Sequence, residues 1–223
     1  MLSINTPTWQ TSLLTAARER NGRQWPSFDR GRTASEVLPR VYLTDLFTAR
    51  DETQLSTLGI THVISVIEHA PTFPQTHPLR TLHIPLSDSS DQDILAHLPT
   101  TTSFIRDALA ESPDSRVMVH CLMGISRSAT VVCAYLVATA RVTPHEALMA
   151  VREKRGIVSP NIGFLSQLDR YADQLLGGQG RPRRAKTGKN VAETMRKLRE
   201  AQRGPKLGSS SSTVSDVTSA PSG

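Results

Sequence analysis

The chain has 223 residues, room for one domain and a tail at about 100–200 residues per domain, and its 38% hydrophobic content falls short of the globular norm of about 45–50%, so part of it is not folded core. Residues 1–176 carry 16 Lys+Arg against 17 Asp+Glu, whereas residues 177–223 carry 10 against 3, so the net +6 and the pI near 9.8 belong to the tail and a nucleic-acid groove spread over the fold loses most of its support.

Residues 1–35 are polar and Arg-rich, with Pro7 and Pro26, and read as a flexible N-terminal arm with one short helix over Thr11–Arg20. Val37–Leu43 predicts a short strand, after which Asp45 caps a helix running to about Leu58 that Gly59 stops. The β-branched run Thr61–Ile67 predicts a second strand and Thr81–Leu86 a third. A hydroxyl- and Asp-rich loop, Ser87–Gln92, leads to Asp93 as N-cap of a helix with apolar positions Ile94, Leu95, Leu98, Phe104, Ile105, Ala108 and Leu109, its first turns disturbed by Pro99. Arg116–His120 is apolar enough for a central strand.

Ser128 to about Arg141 is nearly all apolar, as in a buried helix. Thr143, with Pro144 at the first position and Glu146 at the third, forms a capping box for the next helix. Ser159-Pro160 repeats the cap-then-proline signal, and Phe164, Leu165, Leu168, Tyr171, Leu175 and Leu176 form the stripe of a last helix. The expected fold is α/β, a small central sheet flanked by helices over residues 36–176. Residues 177–223 read as a basic, Ser-rich disordered tail. In it, Arg181–Lys186 reads as a patch for an import receptor or an acidic surface, and equally as a solvated run, while Thr194–Arg199 reads as a short helix for a partner.

No apolar run approaches the ~18–20 residues of a membrane span. The start, Met1-Leu2-Ser3-Ile4-Asn5, has no secretory pattern, and Leu2 stands where myristoylation needs a glycine. Two cysteines, Cys121 and Cys133, make neither a disulfide framework nor a zinc set, and the histidines share no metal-ligand spacing. The expectation is a reducing compartment, cytoplasm or nucleus, with no metal, no cofactor and no nucleic-acid partner.

One stretch carries chemistry: Val117 to Ser128, with Cys121 ending a strand and Arg127 six positions later where a buried helix starts. A strand-to-helix turn aims successive N–H groups inward and makes an anion nest, which the helix dipole reinforces. Gly124 supplies the backbone freedom such a tight loop needs. A helix N-terminus and a neighbouring arginine lower a thiol's pKa, so Cys121 is expected to be a nucleophile at neutral pH. Arg127 offers a planar fork for two phosphate oxygens, and the Ser128 hydroxyl can donate to the sulfur as it departs. The remaining loop residues, Leu122, Met123, Gly124, Ile125 and Ser126, would bind the phosphate. Phosphoryl transfer to cysteine followed by hydrolysis fits these parts. A leaving group needs an acid, an effect typically worth about 10²–10⁴ in rate. Asp88, Asp91 and Asp93 share one loop, and spacing does not choose between them, although Asp93 is well explained as a cap.

His120-Cys121-x5-Arg127-Ser128 resembles the active-site loop of cysteine-based protein tyrosine phosphatases, and the fuller form through Ala129-Thr130 resembles the dual-specificity branch. The resemblance covers about residues 37–176 and extends to Ile84-Pro85-x-x-Asp88, Ala134-Tyr135-Leu136 and Pro160-Asn161-x-Gly163-Phe164-x-x-Gln167-Leu168. It implies that Asp88 is the acid and that Asp91 has no matching role. It also implies that His120, otherwise open to reading as a general base, orders the loop. Asn161 reads as a bond from the last helix to the loop, or as a plain first-turn polar residue. Leu43-Thr44-Asp45 stands where the branch usually has Leu-Gly-Ser, and Arg155-Gly156 where it has Arg-Pro. The resemblance implies a small, atypical enzyme hydrolysing phosphotyrosine and phosphoserine/threonine in proteins through a phosphocysteine. A phosphoinositide or RNA 5′-end substrate is the alternative, less suited to apolar Leu122 and Met123; a non-catalytic phosphoprotein-binding scaffold is another. Cys133, within the apolar helix, is expected to be core, and Ser126 is rejected as a nucleophile because G-x-S-x-G lacks its last glycine.

Overall fold

The computed structural model describes residues 33–75, 78–176 and 196. Among them, strands β1 (Ser35–Leu38), β2 (Val41–Thr44), β3 (His62–Val66), β4 (Arg80–Ile84) and β5 (Val117–His120) form one sheet in the order β1-β2-β5-β3-β4. Only β1 and β2 are antiparallel; β2, β5, β3 and β4 run parallel. Strand β5 sits in the middle, with His120 paired to Thr44 on one side and Ser65 on the other. The carboxyl ends of three parallel strands therefore converge where Cys121 begins, the edge at which open α/β sheets bind ligands.

Two short helices, α1 (Leu46–Ala49) and α2 (Glu52–Thr57), cover one face, where Leu55 of α2 clusters with Tyr42, Val63 and Met118 of the sheet. The other face carries α3 (Leu98–Glu111), α4 (Arg127–Ala140), α5 (Pro144–Lys154) and α6 (Ile162–Leu176) over the main core. Along β5 the alternation is clean: Val117 and Val119 enter the main core and Met118 the smaller one. Helix α4 is enclosed by α3, α5 and α6, and every residue from Arg127 to Val137 is buried, which accounts for its nearly all-apolar sequence after Ser128. Cys133 lies wholly inside it, and burial pushes its thiol pKa up to about 12, so it is an inert core residue.

Several expectations are corrected. The single strand over Val37–Leu43 is a hairpin, because Pro39 and Arg40 turn the chain, Arg40 at φ 63°. That left-handed residue is held by its own contacts: its N–H donates to Glu36 and its guanidinium to the carbonyls of Leu109 and Ser112. The helix from Asp45 to Leu58 is two, since Asp51 caps a second one by accepting from Gln54 N–H at 3.0 Å while Asp45 caps the first through Thr48 N–H at 2.8 Å. The helix expected to start after Asp93 begins only at Leu98: Leu95–His97 form a separate 3-10 turn, and Pro99 falls in the first turn of α3, where its missing N–H is no loss. The last helix is capped not by Ser159 but by Asn161, whose Oδ1 accepts from Phe164 N–H at 2.9 Å. The Thr143–Glu146 capping box forms as expected.

The helix over Thr11–Arg20, the basic run Arg181–Lys186 and the stretch from Gly208 lie outside the described residues, and of Thr194–Arg199 only Arg196 is described, helical and exposed. No helix among the described residues is long and apolar enough to cross a membrane.

Candidate active site

The loop from Cys121 to Ser126 is shaped by what its carbonyls bind. Leu122 O accepts from Leu46 N–H at 3.2 Å and Ile125 O from Ser159 N–H at 2.9 Å, while Gly124 O accepts from Arg155 Nε at 3.1 Å. All three donors lie outside the loop. In a trans peptide the C=O and the next N–H point in opposite directions, and the described chain has no cis bond, so the N–H groups of Met123, Ile125 and Ser126 turn inward. Gly124 N–H also points in, donating to Cys121 Sγ at 3.2 Å. The result is a bowl of donors at the N-terminus of α4, suited to a tetrahedral oxyanion.

Gly124 makes the bowl possible. Its φ is +67°, and a Cβ there would fall 2.5 Å from the carbonyl oxygen of Thr44. Leu122 and Met123 are half-buried and Ile125 is buried, so the expected phosphate contacts from this stretch come from backbone N–H groups and not from side chains.

Cys121 lies at the base of the bowl, 1% exposed. Burial raises its pKa, but the Arg127 charge, the Ser128 hydroxyl and the Ser128 backbone N–H lower it more, against a smaller opposing push from Asp88; the net value is below that of an ordinary thiol. The Ser128 Oγ to Sγ distance is 3.2 Å.

Arg127 opens α4 and is almost wholly buried. Its Nη1 donates at 2.9 Å to Glu68 Oε2 and at 2.9 Å to Leu86 O. Its Nε has no hydrogen-bond partner among the described residues and lies 3.7 Å from Asp88 Oδ2. A buried guanidinium N–H without a bond is costly, and a phosphate oxygen is the partner that suits its fork.

The three loop carboxylates, equivalent by spacing, are separated by the fold. Asp88 is 4% exposed at its side chain, and its Oδ1 accepts from Ser126 Oγ at 2.7 Å and Asn161 Nδ2 at 2.9 Å. Both lone pairs of Oδ1 are thereby used, so a proton on the acid form sits on Oδ2, the oxygen nearer Arg127. Asp91 is exposed and accepts from Ser89 Oγ, and Asp93 accepts from Ala96 N–H at 3.2 Å in the turn before α3, which it does not cap, since α3 begins at Leu98 after His97. Neither is among the groups that meet Cys121 and Arg127. Asn161 ties the Asp88 carboxylate, the loop and α6 together: its Nδ2 donates to Asp88 and its backbone N–H to Ser126 Oγ at 3.1 Å.

His120 is fully buried under the loop. Its Nδ1 lies 3.2 Å from Cys121 O, which only accepts, so Nδ1 carries the proton; Nε2, 2.8 Å from Ser65 Oγ, then accepts from that hydroxyl. Burial first, and the Arg127 charge with it, lowers its pKa to about 4. A neutral ring locked on both sides fits a residue that orders the loop, not a general base.

Sequence reasoning passed over four groups here: Glu68 and Leu86 O on Arg127, Ser65 on His120, and Arg155 on Gly124. Arg155 is 7% exposed and also donates to Thr33 O and Ser35 Oγ, each at 3.2 Å. In the sequence Arg155 marks only a departure from the family pattern, because its partners are set by tertiary structure. No group of three His, Cys, Asp or Glu side chains among the described residues could hold a metal ion.

A thiol with lowered pKa at the base of a backbone anion bowl, under a buried arginine and beside a buried carboxyl, on a five-stranded mixed sheet, defines the cysteine-based phosphatase class. The family profile described as dual specificity phosphatase, catalytic domain, matches residues 41–174, and the chain belongs to that family. It is 40% identical over 151 residues to dual specificity protein phosphatase 1-A of Xenopus laevis, covering 68% of this chain but only 40% of that protein's length. It is 39% identical over 153 residues to dual specificity protein phosphatase 13B of Mus musculus, covering 66% of this chain and 76% of that one. Among solved structures, human DUSP28 superposes with a TM-score of 0.60 at 31% identity, over 64% of this chain and 95% of that chain. DUSP15 does so with 0.60 at 28% identity, over 76% and 96%.

Proposed function

We propose that this protein hydrolyses phosphotyrosine and phosphoserine/threonine in proteins through a phosphocysteine intermediate. The observation that carries the reading is the convergence of Cys121 Sγ, the unbonded Arg127 Nε and the buried Asp88 carboxyl at one bowl of inward N–H groups. The phosphate dianion binds with its oxygens on the loop N–H groups and the Arg127 fork. The Cys121 thiolate attacks phosphorus, the P–O bond to the leaving group breaks, and Asp88 Oδ2 gives that oxygen its proton. The Asp88 carboxylate then takes a proton from water as the water oxygen attacks phosphorus. The P–S bond breaks, the thiolate is restored under the Ser128 hydroxyl, and inorganic phosphate leaves. Every charge that develops meets a group already in place.

The protein-phosphate substrate class is supported by the family and by the apolar rim: Leu122 and Met123, half-buried at the loop, bring no cation to meet a polyphosphorylated head group. The test is turnover of p-nitrophenyl phosphate, then of phosphotyrosine and phosphothreonine peptides, with reductant and chelator present and with Cys121→Ser as control. Turnover that persists in chelator and disappears in Cys121→Ser is expected. An inert wild-type protein that still binds phosphopeptides would replace this reading with that of a scaffold.

A further inference from the structure

Residues 87–94, which carry Asp88, form no helix or strand, yet the acid has to stand within a fraction of an ångström of its place to pass a proton. What holds the segment beyond Asp88 comes from one face of α6. At Gly163, in the first turn, a Cβ would fall 2.7 Å from both the Cα and the carbonyl carbon of Ser90, and closer still to its oxygen. Helix backbone and loop backbone therefore meet with no room for a side chain, and the atoms in the way are main-chain atoms that cannot swing aside. One turn on, Gln167 grips the far end of the loop in both directions: Oε1 accepts from Leu95 N–H at 2.9 Å and Nε2 donates to Gln92 O at 2.8 Å. Leu95 opens the turn leading into α3, so its N–H has no partner within that helix and Gln167 supplies one. Gly163 and Gln167, four residues apart, share a helix face.

We infer that Gly163 and Gln167 are positioning residues that latch the acid loop onto α6, so that Asp88 is preset over the bowl before substrate arrives and is not delivered by loop closure. The inference rests on the reading of Asp88 as general acid. Besides the Asn161 bond to Ser126, the phosphate loop is held from Leu46, Arg155 and Ser159, all outside α6, so loosening the latch should withdraw the acid and leave anion binding intact.

The test uses the full chain and two aryl phosphates: phosphotyrosine, whose leaving group needs a proton, and 6,8-difluoro-4-methylumbelliferyl phosphate, whose phenolate leaves without one. For Gly163→Ala the kcat/KM on phosphotyrosine relative to that on the activated ester, which reads the P–O cleavage step and not the shared hydrolysis of phosphocysteine, should fall by roughly 10- to 100-fold, a fraction of the ~10²–10⁴ for losing general acid catalysis outright. The inhibition constant of tungstate, a probe of the bowl, should stay within about two-fold. Gln167→Leu, which keeps volume and removes both bonds, should move the same ratio in the same direction, and it carries the test if Gly163→Ala does not fold. In an Asp88→Asn background neither substitution should lower the ratio further, because the group they position is already gone. Equal losses of kcat/KM on both esters, tungstate weakened in parallel with turnover, or a full further loss on top of Asp88→Asn would each overturn the latch. A wild-type protein inert towards both esters would instead overturn the proposed function itself.

Discussion

Protonation of His120 should set the acid limit of the fold. The ring is fully buried, donates from Nδ1 to Cys121 O and accepts at Nε2 from Ser65, with the Phe73 ring packed nearly perpendicular to it, centroid to centroid 6.1 Å. A second proton would have to enter at Nε2, where it removes the acceptor of the Ser65 bond and places a cation near Arg127. Burial and that charge hold the pKa at about 4 against an ordinary 6.5. Between those values the unfolded chain binds a proton that the folded chain refuses, so stability rises with pH across the window and is lost as pH falls from about 6.5 towards 4. At 1.36 kcal/mol per unit, the full difference is about 3 kcal/mol, a large share of a typical domain's stability. The assay is urea unfolding at pH steps from 8 to 4.5, on wild type and on His120→Gln, which is destabilised at neutral pH but has no ring to titrate. His62 is lowered in the same direction, by burial first, so the wild-type slope alone is not diagnostic; the difference between the two proteins is. Parallel stability curves for wild type and His120→Gln over this window would refute the assignment of a neutral ring.

Three further substitutions read other parts of the site. Ser128→Ala removes the 3.2 Å hydroxyl bond to Sγ, and a bond to a charged group is worth about 1.5–3 kcal/mol, or roughly 10- to 150-fold in rate. Pre-steady-state traces should show a burst as phosphocysteine accumulates, and alkylation by iodoacetate should need higher pH. Gly124→Ala puts a side chain at φ +67° and against Thr44 O, adding about 1–2 kcal/mol of backbone strain before the clash; denaturant midpoints and tungstate affinity should fall together. Asn161→Ala takes a 2.9 Å donor from Asp88 and the cap from α6, and should lower kcat on phosphotyrosine by more than ten-fold and the melting temperature by a few degrees.

The chemistry of this protein was legible in one stretch of sequence because its logic is local. A strand, a six-residue turn and a helix N-terminus place Cys121, the inward N–H groups and Arg127 together whatever the rest of the chain does. The uniformly apolar run after Ser128 announced a buried helix, and Thr143 and Glu146 fixed the start of the next, because capping depends on neighbours three residues apart. The errors were local too. A hairpin was read as one strand because Arg40 takes a left-handed turn that only its distant carbonyl partners stabilise, and a second cap at Asp51 broke a helix that periodicity ran through.

What lay beyond local reading is everything that depends on pairing across the sheet. Spacing leaves three aspartates in one loop equivalent and the family resemblance points to Asp88, but the physical difference, Ser126, Asn161 and Arg127 closing around it, is tertiary. Glu68 and Ser65 joined the site because β3 runs beside β5, and Arg155 because the segment before α6 passes behind Gly124. Sequence determined which groups can do the chemistry, since reactivity belongs to residue types and short spacings. Tertiary structure decided which of them meet, since a buried polar group is defined by partners that arrive from tens of residues away.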